Sequence, residues 1–161
     1  MERLWAPWRM TYIGGITSGS ECFLCDILRG EDDAANLLIE RRDKTFVVLN
    51  RFPYNNGHVL VCPNAHKATL DDLSEDELLQ LMLATRDTTA LLRKVMRPDG
   101  FNIGVNIGRV AGAGLPGHVH MHIVPRWDGD TNFMPVLGDV KIIPQALEDL
   151  RALLVKALEE G

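Results

Sequence analysis

His118-Val119-His120-Met121-His122-Ile123-Val124 places three of the chain's five histidines at every second position. Side chains alternate along a strand, so His118, His120 and His122 share one face at roughly 6.6–6.8 Å per step, while Val119, Met121 and Ile123 fill the other. Just upstream, Phe101 to Gly108 reads as a partner strand with Phe101, Ile103, Val105 and Ile107 on one face and Asn102, Gly104 and Asn106 on the other. Paired as neighbours, these two strands, the fourth and fifth, turn both polar faces into one groove.

The elements further out complete the fold. Ser74 caps a long helix, Glu77 returns the capping box and Leu73 staples onto Leu78. Leu78, Leu81, Met82, Leu92 and Val95 form its core-facing stripe, and Pro98-Asp99-Gly100 ends it. Leu37 to Glu40 and Thr45 to Leu49 predict a hairpin, Asn50 to Gly57 a turn, and His58 to Cys62 a third strand closed by Pro63. Phe23 to Leu28 reads as a short helix stopped by Gly30, and Pro144 to Glu159 as a terminal helix. The expectation is an α+β fold: a five-stranded antiparallel sheet with one long helix and a C-terminal helix on one face. It spans 1–161 as a single domain, with an irregular N-terminal segment (1–20) and a C-terminal extension (127–161).

Imidazole titrates near neutrality, so the histidine face can supply a nucleophile, an acid or a metal ligand. Three readings compete: a coincidental polar face, a metal-hydrolase strand whose His-x-His pair chelates an ion, and a nucleophile flanked by two supporting histidines. The loop before the strand favours the third. Gly108, Gly112, Gly114 and Gly117 leave backbone N–H groups open to close approach, as a phosphate cradle requires.

Composition narrows the partners. A chain of 161 residues, 46% hydrophobic and 24% charged, matches an ordinary globular protein. No apolar run approaches the roughly 18 residues of a membrane span. The start, Met1-Glu2-Arg3-Leu4-Trp5, lacks the apolar stretch of a signal peptide, so a cytoplasmic location is expected. Three cysteines fit a reducing compartment better than a disulfide framework. Net charge is −5 and no Lys/Arg block tracks a long nucleic acid, but a small phosphate ligand needs only local donors.

The run His118-x-His120-x-His122, with apolar residues between, resembles the histidine-triad superfamily, over roughly Cys22 to Arg126. Val48-Leu49-Asn50-Arg51-Phe52-Pro53 followed by Gly57-His58-Val59-Leu60-Val61-Cys62-Pro63 is similar to the fragile-histidine-triad branch. Leu4-Trp5-Ala6-Pro7-Trp8-Arg9-Met10 and Val124-Pro125-Arg126-Trp127-Asp128-Gly129-Asp130-Thr131-Asn132-Phe133 resemble a bacterial group that includes diadenosine tetraphosphate phosphorylases.

The resemblance implies a homodimer that cleaves dinucleoside polyphosphates, by phosphorolysis or hydrolysis. His120 would attack the α-phosphate, with His118 and His122 in support and His122 near the leaving oxygen. Asn50 would bind ribose, and Asn106 with the loop through Gly112 and Gly114 would bind phosphate oxygens. His58 reads as a supporting or packing histidine. Trp127, leaving the sheet near His122, reads either as a core-edge residue or as a platform for the second nucleoside. Many relatives carry a Ser shortly before the triad, where this chain has Ala113-Gly114-Leu115. The alternatives are a nucleoside phosphoramidase and a nucleotide-binding interaction module; an intact triad argues against the module, because binding alone does not need His120.

Cys22-Phe23-Leu24-Cys25 has zinc spacing. An empty reduced pair and a redox pair are the alternatives, although the irregular Gly14 to Ser20 stretch lacks the strand that usually precedes a redox pair. Relatives complete such a site with a histidine after the third strand and the first triad histidine. The resemblance therefore implies structural zinc on Cys22, Cys25, His66 and His118, with no organic cofactor. Cys62, in an apolar strand, is expected to be buried and inert.

Overall fold

A computed structural model describes residues 22–131 and 143–161. The irregular segment 1–20, with its Leu4–Met10 motif, and the residues from Asn132 onward in the second terminal motif lie outside the described residues. In chain order the elements are α1 (Phe23–Arg29), β1 (Leu38–Arg41), β2 (Thr45–Leu49), β3 (Val59–Pro63), α2 (Glu75–Met96), β4 (Gly100–Val105), β5 (Met121–Arg126) and α3 (Leu147–Glu159). The five strands form one antiparallel sheet in the order β1-β2-β3-β5-β4. The α+β class is as the sequence implied.

Local chemistry sets the ends of α2. The Ser74 side chain accepts from Glu77 N–H while the Glu77 carboxylate accepts from Ser74 N–H. A cap of this kind is worth about 1 kcal/mol. The buried stripe of α2 is Leu81, Ala84, Thr85, Thr88, Leu91 and Leu92, spaced at three and four. Thr85 and Thr88 can be buried because their hydroxyls donate to the Leu81 and Ala84 carbonyls at 2.7 Å. Met82, expected to face inward, is 55% exposed. It sits about 100° round the helix from Leu81, off the stripe.

Helix α2 packs against β2, β3 and β5, and α3 packs against α2 and β1. Arg151 anchors α3 to the sheet by donating to the Leu38 carbonyl at 2.6 Å. Arg42 bonds both Glu40 and Asp87, tying the hairpin to α2. Register separates the two faces of the sheet. Val47, Val61 and Met121 lie in line, as do Val59 and Ile123. This face meets α2 and α3: a Cβ added at Gly57 would touch both Met96 of α2 and Pro125, two residues beyond Ile123. Phe46 and Cys62, with Leu60 and His122, belong to the opposite face, which carries α1 and the triad.

Three boundaries differ by three residues from the sequence expectation, the others by one or two. The terminal helix starts at Leu147 rather than Pro144, since Ala146 is still extended. β4 stops at Val105 rather than Gly108. β5 begins at Met121, so His118 and His120 precede the ladder instead of lying within it. Their backbone has another partner: Val119 N–H donates to the Lys67 carbonyl, in the loop after β3, at 2.7 Å. Among the described residues, no helix is long and apolar enough to cross a membrane.

Candidate active site

The three triad histidines are brought together but differ in surroundings. His118 is fully buried. Its Nε2 donates to the Pro63 carbonyl at 2.9 Å, which leaves Nδ1 as the lone-pair nitrogen. That nitrogen faces Cys22 Sγ at 3.3 Å and Cys25 Sγ at 3.6 Å. Cys25 Sγ is 3.3 Å from His66 Nδ1, and Gly117 leaves room for the His66 ring 3.6 Å from where a Cβ would stand. The four ligand atoms of Cys22, Cys25, His66 and His118 lie within 4.8 Å of one another.

This geometry fits a four-coordinate soft-ligand site. With metal–sulfur and metal–nitrogen bonds of about 2.3 and 2.0 Å, tetrahedral donors stand roughly 3.3–3.8 Å apart. Burial pushes the Cys22 thiol up to about 11, so a cation in the centre is what would hold it as thiolate. The α1 N-terminus adds Cys25 N–H, donated to Cys22 Sγ at 3.4 Å. Cys62 is wholly buried, and burial raises its thiol well above the ordinary range.

His120 lies two residues on. Its Nδ1 donates to the His118 carbonyl at 2.8 Å, so its lone pair is on Nε2. Burial lowers its pKa and lowers that of His118, which keeps both rings neutral at neutral pH. A neutral imidazole with a directed Nε2 lone pair is a competent nucleophile. The His122 ring stands 4.8 Å from that of His120, edge to face.

His122 lies in β5 and is paired with Leu60 and Gly104. Its Nδ1 is 3.0 Å from Nε2 of the buried His58. His58 Nδ1 meets the Asn50 side-chain amide at 3.2 Å and accepts from Tyr54 N–H at 3.1 Å. Tyr54 lies over both rings, stacked on His122 at 5.9 Å and tilted over His58 at 4.6 Å. Sequence alone gives Tyr54 no role. A hint lay in register: once β3 and β5 pair, His58 falls on the same face as Leu60 and His122. Nothing in the spacing from Asn50 to Tyr54 indicated that both would converge on one ring nitrogen.

Asn106 leaves β4 just past the Val105–Met121 pair, on the approach to His120. Gly112 has φ +86°, a left-handed conformation that favours glycine, and closes a 3₁₀ turn over Arg109–Ala111. Trp127 is placed away from the histidines. With Val95, Met96, Leu150 and Leu153 it lines a cavity of about 510 Å³ on the helix-covered side of the sheet. It follows Pro125, whose ring faces Met96 of α2 across Gly57.

Residues 31–129 match the HIT domain family. The "AP-4-A phosphorylase" of Mycobacterium tuberculosis is 38% identical over 161 residues, covering 96% of this chain and 83% of that protein. A HIT-like protein of Methanocaldococcus jannaschii is 38% identical over 120 residues, 74% of this chain and 89% of its own. Among solved structures, a zinc-bound histidine-triad family protein from Mycobacterium smegmatis superposes with a TM-score of 0.70 at 27% identity, covering 86% of this chain and 94% of that one. The chain belongs to the HIT family.

Proposed function

We propose that this chain cleaves dinucleoside polyphosphates by nucleotidyl transfer through His120. The observation that carries the reading is the His120 bond to the His118 carbonyl, which leaves the Nε2 lone pair on a ring that burial keeps neutral. In the first displacement, that lone pair forms a bond to the α-phosphorus. The bridging P–O bond breaks, and its electrons leave with the polyphosphate. In the second, an oxygen of phosphate or water attacks the same phosphorus, the N–P bond breaks, and Nε2 regains its lone pair. The named activity of the Mycobacterium tuberculosis relative supports phosphate as acceptor.

Within this reading Asn50 contacts ribose, and Asn106 with the backbone around Gly112 and Gly114 holds phosphate oxygens. Cys22, Cys25, His66 and His118 hold a structural zinc, with four protein ligands and no open position. The zinc in the Mycobacterium smegmatis relative supports this. Ile103, Ile107 and Val110 are exposed in and beyond the edge strand β4, which suits a second copy of the chain. Three unpaired cysteines suit the cytoplasm.

Product analysis with diadenosine tetraphosphate tests the reading. Phosphorolysis yields ATP and ADP when inorganic phosphate is present; hydrolysis yields ATP and AMP. Absence of any cleavage, or full turnover by His120→Ala, overturns it.

A further inference from the structure

The loop from Asn106 to Gly117 joins β4 to the triad, and both of its ends are held beside His120. Val105 pairs with Met121 at one end, and Gly117 leads into His118 at the other. Its first half is a defined turn. The Gly108 carbonyl accepts from Ala111 N–H at 3.2 Å and from Ala113 N–H at 3.3 Å, and the Arg109 carbonyl accepts from Gly112 N–H at 3.0 Å. Ala113 and Leu115 anchor the second half by burial. Arg109 stands on the exposed part of the turn, next to Gly108, where an added Cβ would meet nothing within 4 Å.

The Arg109 charge is not engaged within the chain. Among the described residues, Arg97 and Arg109 are the two Lys or Arg side chains that make no hydrogen bond, ion pair or ring contact. The others hold a carboxylate, a backbone carbonyl or an aromatic ring. Arg97 caps the C-terminus of α2, whereas Arg109 lies three residues past Asn106. Around the triad, burial keeps His118 and His120 neutral, Asn50 and Asn106 carry no charge, and Ala113-Gly114-Leu115 offers no hydroxyl. These groups offer a polyphosphate dipoles rather than charge. With the chain at −5 overall, no general field draws an anion in either.

We propose that Arg109 binds the phosphate group that departs from the nucleotidyl phosphorus and then the orthophosphate that attacks it, and that it thereby sets phosphorolysis above hydrolysis. This rests on the reading of His120 as nucleophile and names the residue that selects the acceptor. An in-line displacement puts the leaving oxygen opposite Nε2, and the return displacement puts the acceptor oxygen in that same place. One guanidinium therefore serves both half-reactions, its planar fork bonding two oxygens of a phosphate. In the return step, an ionised oxygen of orthophosphate forms a bond to the nucleotidyl phosphorus. The N–P bond breaks, its electron pair returns to Nε2, and any hydrogen on the orthophosphate stays on what is now the β-phosphate. Water attacking the same phosphorus has to shed a proton and presents no anion for Arg109 to hold.

Initial rates on diadenosine tetraphosphate at varied inorganic phosphate, read as ADP against AMP, test this. In the wild type, ADP should rise saturably with phosphate at the expense of AMP. Arg109→Gln should raise the KM for phosphate about tenfold to a hundredfold, the worth of a charge-assisted contact, and should lower the ADP-to-AMP ratio at sub-saturating phosphate in proportion. Arg109→Lys keeps the charge without the fork and should fall between. Tm should change by no more than about 2 °C, because the side chain is exposed and makes no bond within the chain. Arg97→Gln should leave both the KM for phosphate and the ratio as in the wild type. A wild-type KM and ratio in Arg109→Gln would overturn the proposal, as would an equal shift in Arg97→Gln or a wild type that yields only AMP at high phosphate. Failure to trap a nucleotidyl group on His120 would instead remove the underlying reading, whatever the ratio.

Discussion

His118 and His122 flank His120 at equal distance in sequence, yet the structure gives them opposite surroundings. His118 is sealed in, its ring spent on two thiols and the Pro63 carbonyl and its own carbonyl holding His120. His122 sits at the other end, joined through His58 to Asn50 and Tyr54. The difference begins in the backbone. His122 is in the β5 ladder, whereas Val119 N–H turns to the loop after β3 and carries His118 towards the cysteines. Under the proposed reading, an alternating motif serves a structural site at one end and chemistry at the other.

The largest effect belongs to the residue between them. His120→Ala should lower turnover by about 10⁴-fold or more while nucleotide affinity stays within about tenfold, because losing a nucleophile removes chemistry rather than binding. Single-turnover kinetics beside equilibrium binding checks this; comparable losses in both would mean that His120 only binds.

The flanking pair should then divide. His122→Ala should cost about 10²–10⁴-fold in kcat with little change in Tm. His118→Ala removes a fully buried ring and strands the Pro63 carbonyl. It should cost about 2–4 kcal/mol, or roughly 5–15 °C in Tm. If zinc occupies the Cys22, Cys25, His66 and His118 site as proposed, chelation should lower Tm in the same direction before it stops turnover. Thermal melts and rates on the same preparations sharpen the contrast. A His118→Ala protein that melts like wild type and has lost only activity would break it.

The two ends were also unequally legible. Strict alternation from His118 to Val124 identifies the shared face, and Cys22-x-x-Cys25 marks the candidate thiol ligands, because both are local patterns. His66 could be attached only through resemblance, since its ring reaches Cys25 by a loop whose path spacing does not encode. The His58 cap depends on register between β3 and β5, a non-local quantity, and on one backbone N–H at Tyr54. Met82 was misplaced because small Thr and Ala side chains, rather than the larger apolar ones, take much of the α2 core face.

Trp127 offers a smaller effect on the far side of the sheet. Since it lines the cavity beside Val95, Met96, Leu150 and Leu153, Trp127→Ala should lower Tm by roughly 5 °C, the loss of partial burial. KM should change by a similar small factor for a dinucleotide and for a mononucleotide ester. A rise confined to the dinucleotide, about tenfold or more, would assign Trp127 to the second nucleoside after all.

The smallest effect follows acid into the His118 end alone. Glu77 is lowered from 4.5 to about 2, first by the Lys67 ammonium and then by its capping bonds at Ser74. Lys67 also supplies the carbonyl that holds Val119 N–H, so the α2 N-terminus braces the segment carrying His118. A carboxyl lowered in the folded state is charged there while its unfolded counterpart already binds a proton. Its contribution is complete above about 4.5 and is lost as pH falls towards about 2. The pair is half-buried and still reached by solvent, so the loss should be small and should shrink in high salt. Melting curves of wild type and Glu77→Gln between pH 6 and pH 2 should therefore converge at the acid end, with wild type the more stable at pH 6. Curves that stay parallel throughout would show that the carboxylate charge contributes nothing to bracing His118, and that the Val119–Lys67 backbone bond suffices.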